Sequence, residues 1–245
     1  MPELLFEETT PRALLLLRQS GYPHTYEEAS GLIRASLPQG ELIYAENYFS
    51  RSVSDRAIDY LLANEQYAWQ TTDWTGIDPA TVPWQHILWR RDHIRMFGKL
   101  VPIPRFSAWY GDEGKSYAYS GLKLEPNSWN KGLLYFKAAV EQVAQTSFNS
   151  VLLNWYRDGS DSMGWHADDE PELGTNPIIA SVNLGATRRF LMRRTDDKSH
   201  KFELPLSHGS LLIMGGEMQH YWQHAIPKER KVGDLRINLT FRTIR

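Results

Sequence analysis

From Ser150 to the C-terminal end the chain breaks into short β-type segments separated by turns, and this rhythm limits the fold more than any other feature. The segments fall at residues 151–156, 178–184, 190–193, 211–214, 221–225 and 236–242. One strong helix precedes them at residues 131–146, where Leu133, Phe136, Val140 and Val143 are spaced to form one apolar face. Many short strands after such a helix predict an antiparallel sandwich or barrel backed by helices. The expected class is therefore mainly β with flanking helices (α+β). Upstream, residues 42–44 read as a strand, and residues 55–63 as a helix capped by Ser54 with Ile58, Leu61 and Leu62 on one face. Thr25-Tyr26-Glu27-Glu28 has the form of a capping box, which predicts a short helix ended by Pro38-Gln39-Gly40. Residues 70–130 are rich in proline, glycine and aromatics, as functional irregular segments often are. The 245 residues suit one large domain at 41–245, preceded by an extension at 1–40.

Composition removes several classes of chemistry. The absence of cysteine excludes disulfide scaffolds, thiolate metal sites and cysteine nucleophiles. A net charge of −2 does not announce a nucleic-acid binder, although a local basic surface is compatible with it. Nine tryptophans predict mostly packing roles, because indole brings a large area and one donor. The N-terminus lacks a basic region followed by an apolar stretch, so it does not read as a signal peptide. Leu14 to Leu17 is far too short to span a bilayer. The chain is expected to be a soluble monomer inside the cell, cytoplasmic, or nuclear in a eukaryote, with no membrane partner.

Trp165-His166-Ala167-Asp168 carries the first hint of chemistry. In an extended segment, side chains two apart point the same way, so His166 and Asp168 could reach one ion. Two imidazoles and one carboxylate leave open positions for a co-substrate and dioxygen, the arrangement of iron(II) oxygenases. Alone, a His-X-Asp triplet more often marks an ordinary surface. A third ligand could come from His208, His220 or His224. His208 sits in an apparent turn, and His220 and His224 would share a face of one strand, so periodicity does not choose between them.

Arg236, Asn238, Thr240 and Arg242 alternate with Ile237, Leu239 and Phe241. The ordinary explanation for the polar face is solvent; the functional one is a pocket. The two arginines lie roughly 20 Å apart by strand rise, so only long side chains or curvature let both approach one dicarboxylate. Arginine suits that role because its planar fork pairs bidentately with carboxylates.

Taken in order, these segments resemble the AlkB family of iron- and 2-oxoglutarate-dependent dioxygenases, closest to its nucleic-acid repair demethylases. The resemblance rests on Asn154-Trp155-Tyr156, His166-Ala167-Asp168-Asp169-Glu170, His224-Ala225-Ile226-Pro227 and the run from Arg236 to Arg242. It extends to Phe97-Gly98-Lys99, Tyr110-Gly111-Asp112, Tyr119-Ser120-Gly121, and the segments at 177–182 and 208–214, covering about residues 41–245. It implies a double-stranded β-helix (jelly-roll) core. It also implies Fe(II) held by His166, Asp168 and His224, with 2-oxoglutarate and O2 as co-substrates. Arg236 would pair with the distal carboxylate of 2-oxoglutarate and Arg242 would lie near its iron end, with Asn154, Tyr156 and Asn238 completing the pocket.

For substrate, the resemblance implies DNA, single- or double-stranded, or RNA. Glu170 matches an acidic residue that contacts the target base, and Tyr119 and Trp165 are expected to line the base pocket. Phe97 matches an aromatic that enters the base stack when a nucleotide is turned out. Its ordinary role would be core packing. Arg90, Arg91, Arg95 and Lys99 around it fit phosphate contacts, and Arg188-Arg189 with Arg193-Arg194 form a second basic cluster on a predicted hairpin. The loop at 195–199 is shorter than in the duplex-acting members, which leaves strand preference open. The implied reaction hydroxylates the N-methyl group of 1-methyladenine or 3-methylcytosine, and the hemiaminal collapses to formaldehyde and the bare base. Rival expectations are a 2-oxoglutarate oxygenase acting on RNA or protein, and a module that binds damaged bases without oxidising them.

Overall fold

Strand alternation decides the architecture. The computed structural model describes residues 11–96, 99–115, 117–119 and 122–245. Helix α1 (Arg12–Ser20) leads into β1 (His24–Glu27), β2 (Leu32–Leu37) and β3 (Gly40–Ala45), and α2 (Arg51–Leu61) follows. β4 (His93–Met96) and β5 (Lys99–Pro102) pair as a hairpin, β6 (Phe106–Gly111) comes next, and β7 (Tyr117–Tyr119) pairs with β8 (Leu122–Leu124). Then come α3 (Lys131–Ala144), β9 (Ser150–Tyr156), β10 (Met163–His166), β11 (Ile179–Gly185) and β12 (Arg188–Arg194). The chain ends with β13 (Lys201–Leu206), β14 (Ser210–Gly215), the single turn α4 (Met218–Tyr221), β15 (Trp222–Ile226) and β16 (Arg236–Arg242).

Twelve of the strands form two facing antiparallel sheets, a jelly roll. The large sheet has the order β1-β2-β3-β14-β11-β16-β9-β6, and the small one β10-β15-β12-β13. One side of the large sheet presents Val151, Leu153, Trp155, Ile237, Leu239 and Phe241 to α2 and α3, where Ile58, Leu133, Phe136 and Val140 meet them. Trp155 stands edge-on to Trp74, Trp84, Trp89 and Phe106, so much of the tryptophan content is packing, as expected. The other side faces the small sheet. There Tyr44, Ile179 and Leu212 pack on Phe190, Met192 and Leu204, while the middle of the interface is polar.

Three local expectations need correction. Residues 24–27 are strand β1, not the start of a helix: His24 to Glu27 pair with Ala35 to Leu32. Threonine and tyrosine favour strands, and an available partner outweighs a local cap. The second helix starts at Arg51, because Ser50 and not Ser54 accepts the Val53 N–H at 3.4 Å. Ser54 is instead buried on the helix's inner face. His220 belongs to α4 and not to the strand of His224; its Nε2 lies 3.0 Å from Asn176 Oδ1. Of the described residues before 41, those of β1 and β2 extend the large sheet, and Leu14 and Leu17 of α1 join the core beside Leu204 and Leu206. Among the described residues, no helix is long and apolar enough to cross a membrane.

Candidate metal centre and the cavities beside it

β10 is an edge strand whose last residue, His166, pairs with His224 of β15. That register sets the two imidazoles side by side, with ring centroids 4.2 Å apart. Asp168 follows in an irregular loop, and its Oδ2 lies 3.8 Å from His224 Nε2. One ligand-type atom from each of His166, Asp168 and His224 falls within 4.8 Å of the others. Of the three histidines left open by sequence, only His224 joins this group. His208 instead accepts the Gly185 N–H through Nδ1 at 2.8 Å and turns Nε2 to Asp55, 3.1 Å away.

The protonation pattern suits a divalent cation. His166 Nδ1 lies 2.9 Å from the Gly164 carbonyl, which can only accept, so Nδ1 is the donor and Nε2 is the nitrogen left for a metal. Burial pushes the His224 imidazole down to about 3, helped by His166 and Arg242 and opposed by Asp168, so it is neutral near pH 7. Burial works against ionising Asp168, but Arg242, His224 and His166 outweigh it and hold the carboxyl below its usual range. Arg242 Nη2 donates to Asp168 Oδ1 at 2.6 Å, which leaves Oδ2 on the side of His224. Two imidazoles and a carboxylate fit Fe(II), and the set is too small to close a coordination sphere.

Behind this group lies a cavity between the two sheets, bounded by Tyr156, Phe190, Arg236, Asn238 and Thr240. The polar face of β16 therefore lines a pocket and not solvent. Arg236 is buried over the Tyr156 ring at 4.9 Å, and burial lowers its guanidinium to about 10, with Arg188 adding to the shift and Tyr156 opposing it. Its Nη2 donates to Asn183 Oδ1 at 2.5 Å. Its Nε and Nη1 are buried with no hydrogen-bond partner among the described residues. Buried donors in that state need an acceptor, and a carboxylate of 2-oxoglutarate entering beside Tyr156 fits the need. Asn238 donates to Ser181 Oγ at 2.8 Å and Val182 O at 3.1 Å, so it props the pocket wall. Asn154 lines the same cavity and accepts from Arg105 Nε at 2.7 Å.

A second cavity opens on the other side of His166 and Asp168. Glu170 lines it with Asp92, Arg105, Ser107 and Met163. Asp92 accepts from Ser107 and pairs with Arg90 at 2.9 Å, so Arg90 is turned inward to a carboxylate.

Not every expected site residue comes together here. Trp165 points away from His166, as strand alternation requires, and does not line either cavity. It lies under the Arg193 guanidinium at 4.1 Å, which Gln223 fixes through bonds of 3.1 and 2.8 Å. The second basic cluster is engaged with the protein itself. Arg188, fully buried, bonds Glu229 at 3.0 Å and the carbonyls of Asp158, Asp161 and Pro227. Arg189 pairs with Glu203 at 2.6 Å and Arg194 with Asp196 at 2.5 Å. Phe97 and Gly98 lie outside the described residues, as do the side chains of Arg95, Lys99 and Tyr119. Sequence reading missed Asn183, Ser181 and Arg105. A signal existed for the first two: they alternate with Ala180, Val182 and Leu184, repeating the pattern of β16.

A model of the 2OG-Fe(II) oxygenase superfamily matches residues 41–242. The chain is 36% identical over 230 residues to mouse alpha-ketoglutarate-dependent dioxygenase alkB homolog 3, covering 89% of this chain and 78% of the relative. It is 45% identical over 172 residues to the cow protein of that name, covering 66% and 58%. It is 42% identical over 158 residues to human DNA oxidative demethylase ALKBH2, covering 62% and 60%. A solved structure, that of OsALKBH1, superposes with a TM-score of 0.52 at 18% identity, covering 90% of this chain and all of the other, a likeness of fold. These relatives bear out the AlkB resemblance read from the sequence motifs.

Proposed function

The chain belongs to the 2OG-Fe(II) oxygenase superfamily, and from that premise we propose that it removes N-methyl groups from nucleobases in DNA by oxidation. The observation that carries the reading is the placement of His166, Asp168 and His224 between two cavities. One holds the unsatisfied donors of Arg236, and the other opens past Glu170. His166, Asp168 and His224 would hold Fe(II), and Arg236 would hold 2-oxoglutarate. The metal and its co-substrates would supply the oxidising power that turns an N-methyl group into a hydroxymethyl group, with succinate and carbon dioxide released.

The residues of the chain do the rest. Arg242 keeps Asp168 ionised and directs Oδ2 inward. Tyr156 and Asn238 fix the pocket around Arg236, so the dicarboxylate enters in one orientation. Glu170 is proposed to accept from the exocyclic amine of 1-methyladenine or 3-methylcytosine, both of which carry one. A hydroxymethyl nitrogen then loses formaldehyde without further help and leaves the bare base. Arg95 and Lys99 would contact phosphate, and Phe97 would fill the gap left by the turned-out base. Tyr119 would line the base pocket.

Formaldehyde release, measured with Fe(II) and 2-oxoglutarate on methylated single-stranded DNA, duplex DNA, RNA and a methyl-lysine peptide, tests the proposal. Turnover should appear on at least one methylated DNA. Release from the peptide alone would overturn the nucleic-acid reading, and tight binding of methylated DNA with no turnover would favour a non-catalytic damaged-base binder.

A further inference from the structure

We propose that Gln219 is a positioning residue for the metal centre: it fixes the main chain at Asp168, as strand pairing fixes it at His166. This rests on the iron reading above and extends it to a residue outside the ligand set. His166 is held by its register with His224. Asp168 has no such ladder, because β10 ends at His166 and the chain there turns irregular. Its carboxylate is held by Arg242, which acts on the side chain and leaves the backbone undetermined.

Gln219 supplies the missing constraint. It is 2% exposed, and its Oε1 accepts the Asp168 N–H at 2.9 Å across 51 residues of sequence. Its own amide nitrogen lies 3.8 Å from Met214 Sδ on β14, so the side chain is fixed at its far end as well. The carboxamide is buried, and a buried amide is tolerated when its bonds are made. The location explains the choice of residue. Gln219, in α4, stands five positions before His224 in the chain, so one turn of helix links the segment that delivers His224 to the loop that delivers Asp168. A residue there sets the spacing between two ligands that are far apart in sequence. Partners behind metal ligands typically change metal affinity by about 10–100-fold when removed.

The test compares Mn(II) binding to the wild-type chain, Gln219→Met and Gln219→Glu, with thermal unfolding of each metal-free protein beside it. Methionine keeps the volume and loses the acceptor; glutamate keeps an acceptor oxygen. Gln219→Met should lose about 10–100-fold in Mn(II) affinity, more than any change in metal-free stability accounts for, and Gln219→Glu should stay within a few-fold of wild type. Wild-type binding with an unchanged Gln219→Met would overturn the role of Gln219 alone. A wild-type chain that binds no Mn(II) would overturn the iron reading instead. Should Gln219→Met not fold, amide exchange in the ¹⁵N-labelled wild type decides: strong protection at Asp168 supports the bond, and free exchange overturns it.

Discussion

The two sides of the large sheet share the same strands and do opposite work. On β16, Ile237, Leu239 and Phe241 pack under α2 and α3, while Arg236, Asn238, Thr240 and Arg242 face the small sheet. The helix side is apolar, and its burial favours folding. The cavity side is nearly as buried but carries guanidinium, amide and hydroxyl groups, which cost free energy unless paired. The difference teaches where stability comes from and where it is given up. Substitutions on the helix side should harm the fold and leave the chemistry intact, and those on the cavity side the reverse.

The largest expected effects test that division directly. Asp168→Ala should abolish Mn(II) binding and bring turnover to background while the fold persists, because it removes a ligand-type carboxylate and not a packing group. Trp155→Ala should cost about 3–5 kcal/mol of stability, as large-to-small changes in cores do. Its kcat at a temperature where the protein stays folded should be near normal. Chemical denaturation and steady-state assays on the pair read both axes. A Trp155→Ala protein that keeps its stability would break the comparison.

Arg236→Met comes next. Hydrogen bonds to charged groups contribute about 1.5–3 kcal/mol, so the KM for 2-oxoglutarate should rise by roughly ten- to a hundredfold. The same change removes a buried cation with two unpaired donors, so the metal-free protein should unfold at the same or a higher temperature. A lower melting temperature would mean that Arg236 supports the fold more than the ligand.

Legibility follows the same division. The strand rhythm after Ser150 is readable because short apolar-rich segments alternate with turns, and β16 falls at residues 236–242 as expected. Whether its polar face met solvent or a pocket was not readable from alternation, since both give the same pattern. That depends on the small sheet lying opposite, a non-local fact. For the same reason spacing left His220 and His224 open: a turn of helix, α4, takes His220 out of the strand, and nothing in Gln219-His220-Tyr221 announces it. The motif order supplied by the AlkB resemblance, not periodicity, singled out His224.

Acidity separates the sides by a smaller margin. His224 is held down to about 3 chiefly by burial, against about 6.5 in an unfolded chain. Its folded value is depressed, so the unfolded state takes up the proton first. Stability of the metal-free protein should be unaffected by this group above pH 6.5 and should fall as pH drops from there towards 3, by at most about 1.4 kcal/mol per unit. His224→Gln should flatten the slope between pH 6.5 and 4.5, above the range where Asp168 titrates. Equal slopes in chelator-treated wild type and variant would show that this imidazole is not buried neutral.

The smallest effect concerns Trp165, adjacent in sequence to His166 yet on the opposite face of β10. At 36% exposure, its indole is a brace under Arg193 and not a wall of the base cavity. An exposed cation–π contact is worth about 0.5–1 kcal/mol, so Trp165→Ala should lower stability by no more than that. Because the side chain lines neither cavity, the KM for a methylated oligonucleotide and for 2-oxoglutarate should both stay within a factor of two or so. Arg193→Ala should give the same small loss, and the double variant little more, since the two changes break one contact. A selective rise in oligonucleotide KM for Trp165→Ala would move this residue to the substrate side and show that the edge strand's outer face touches the nucleic acid.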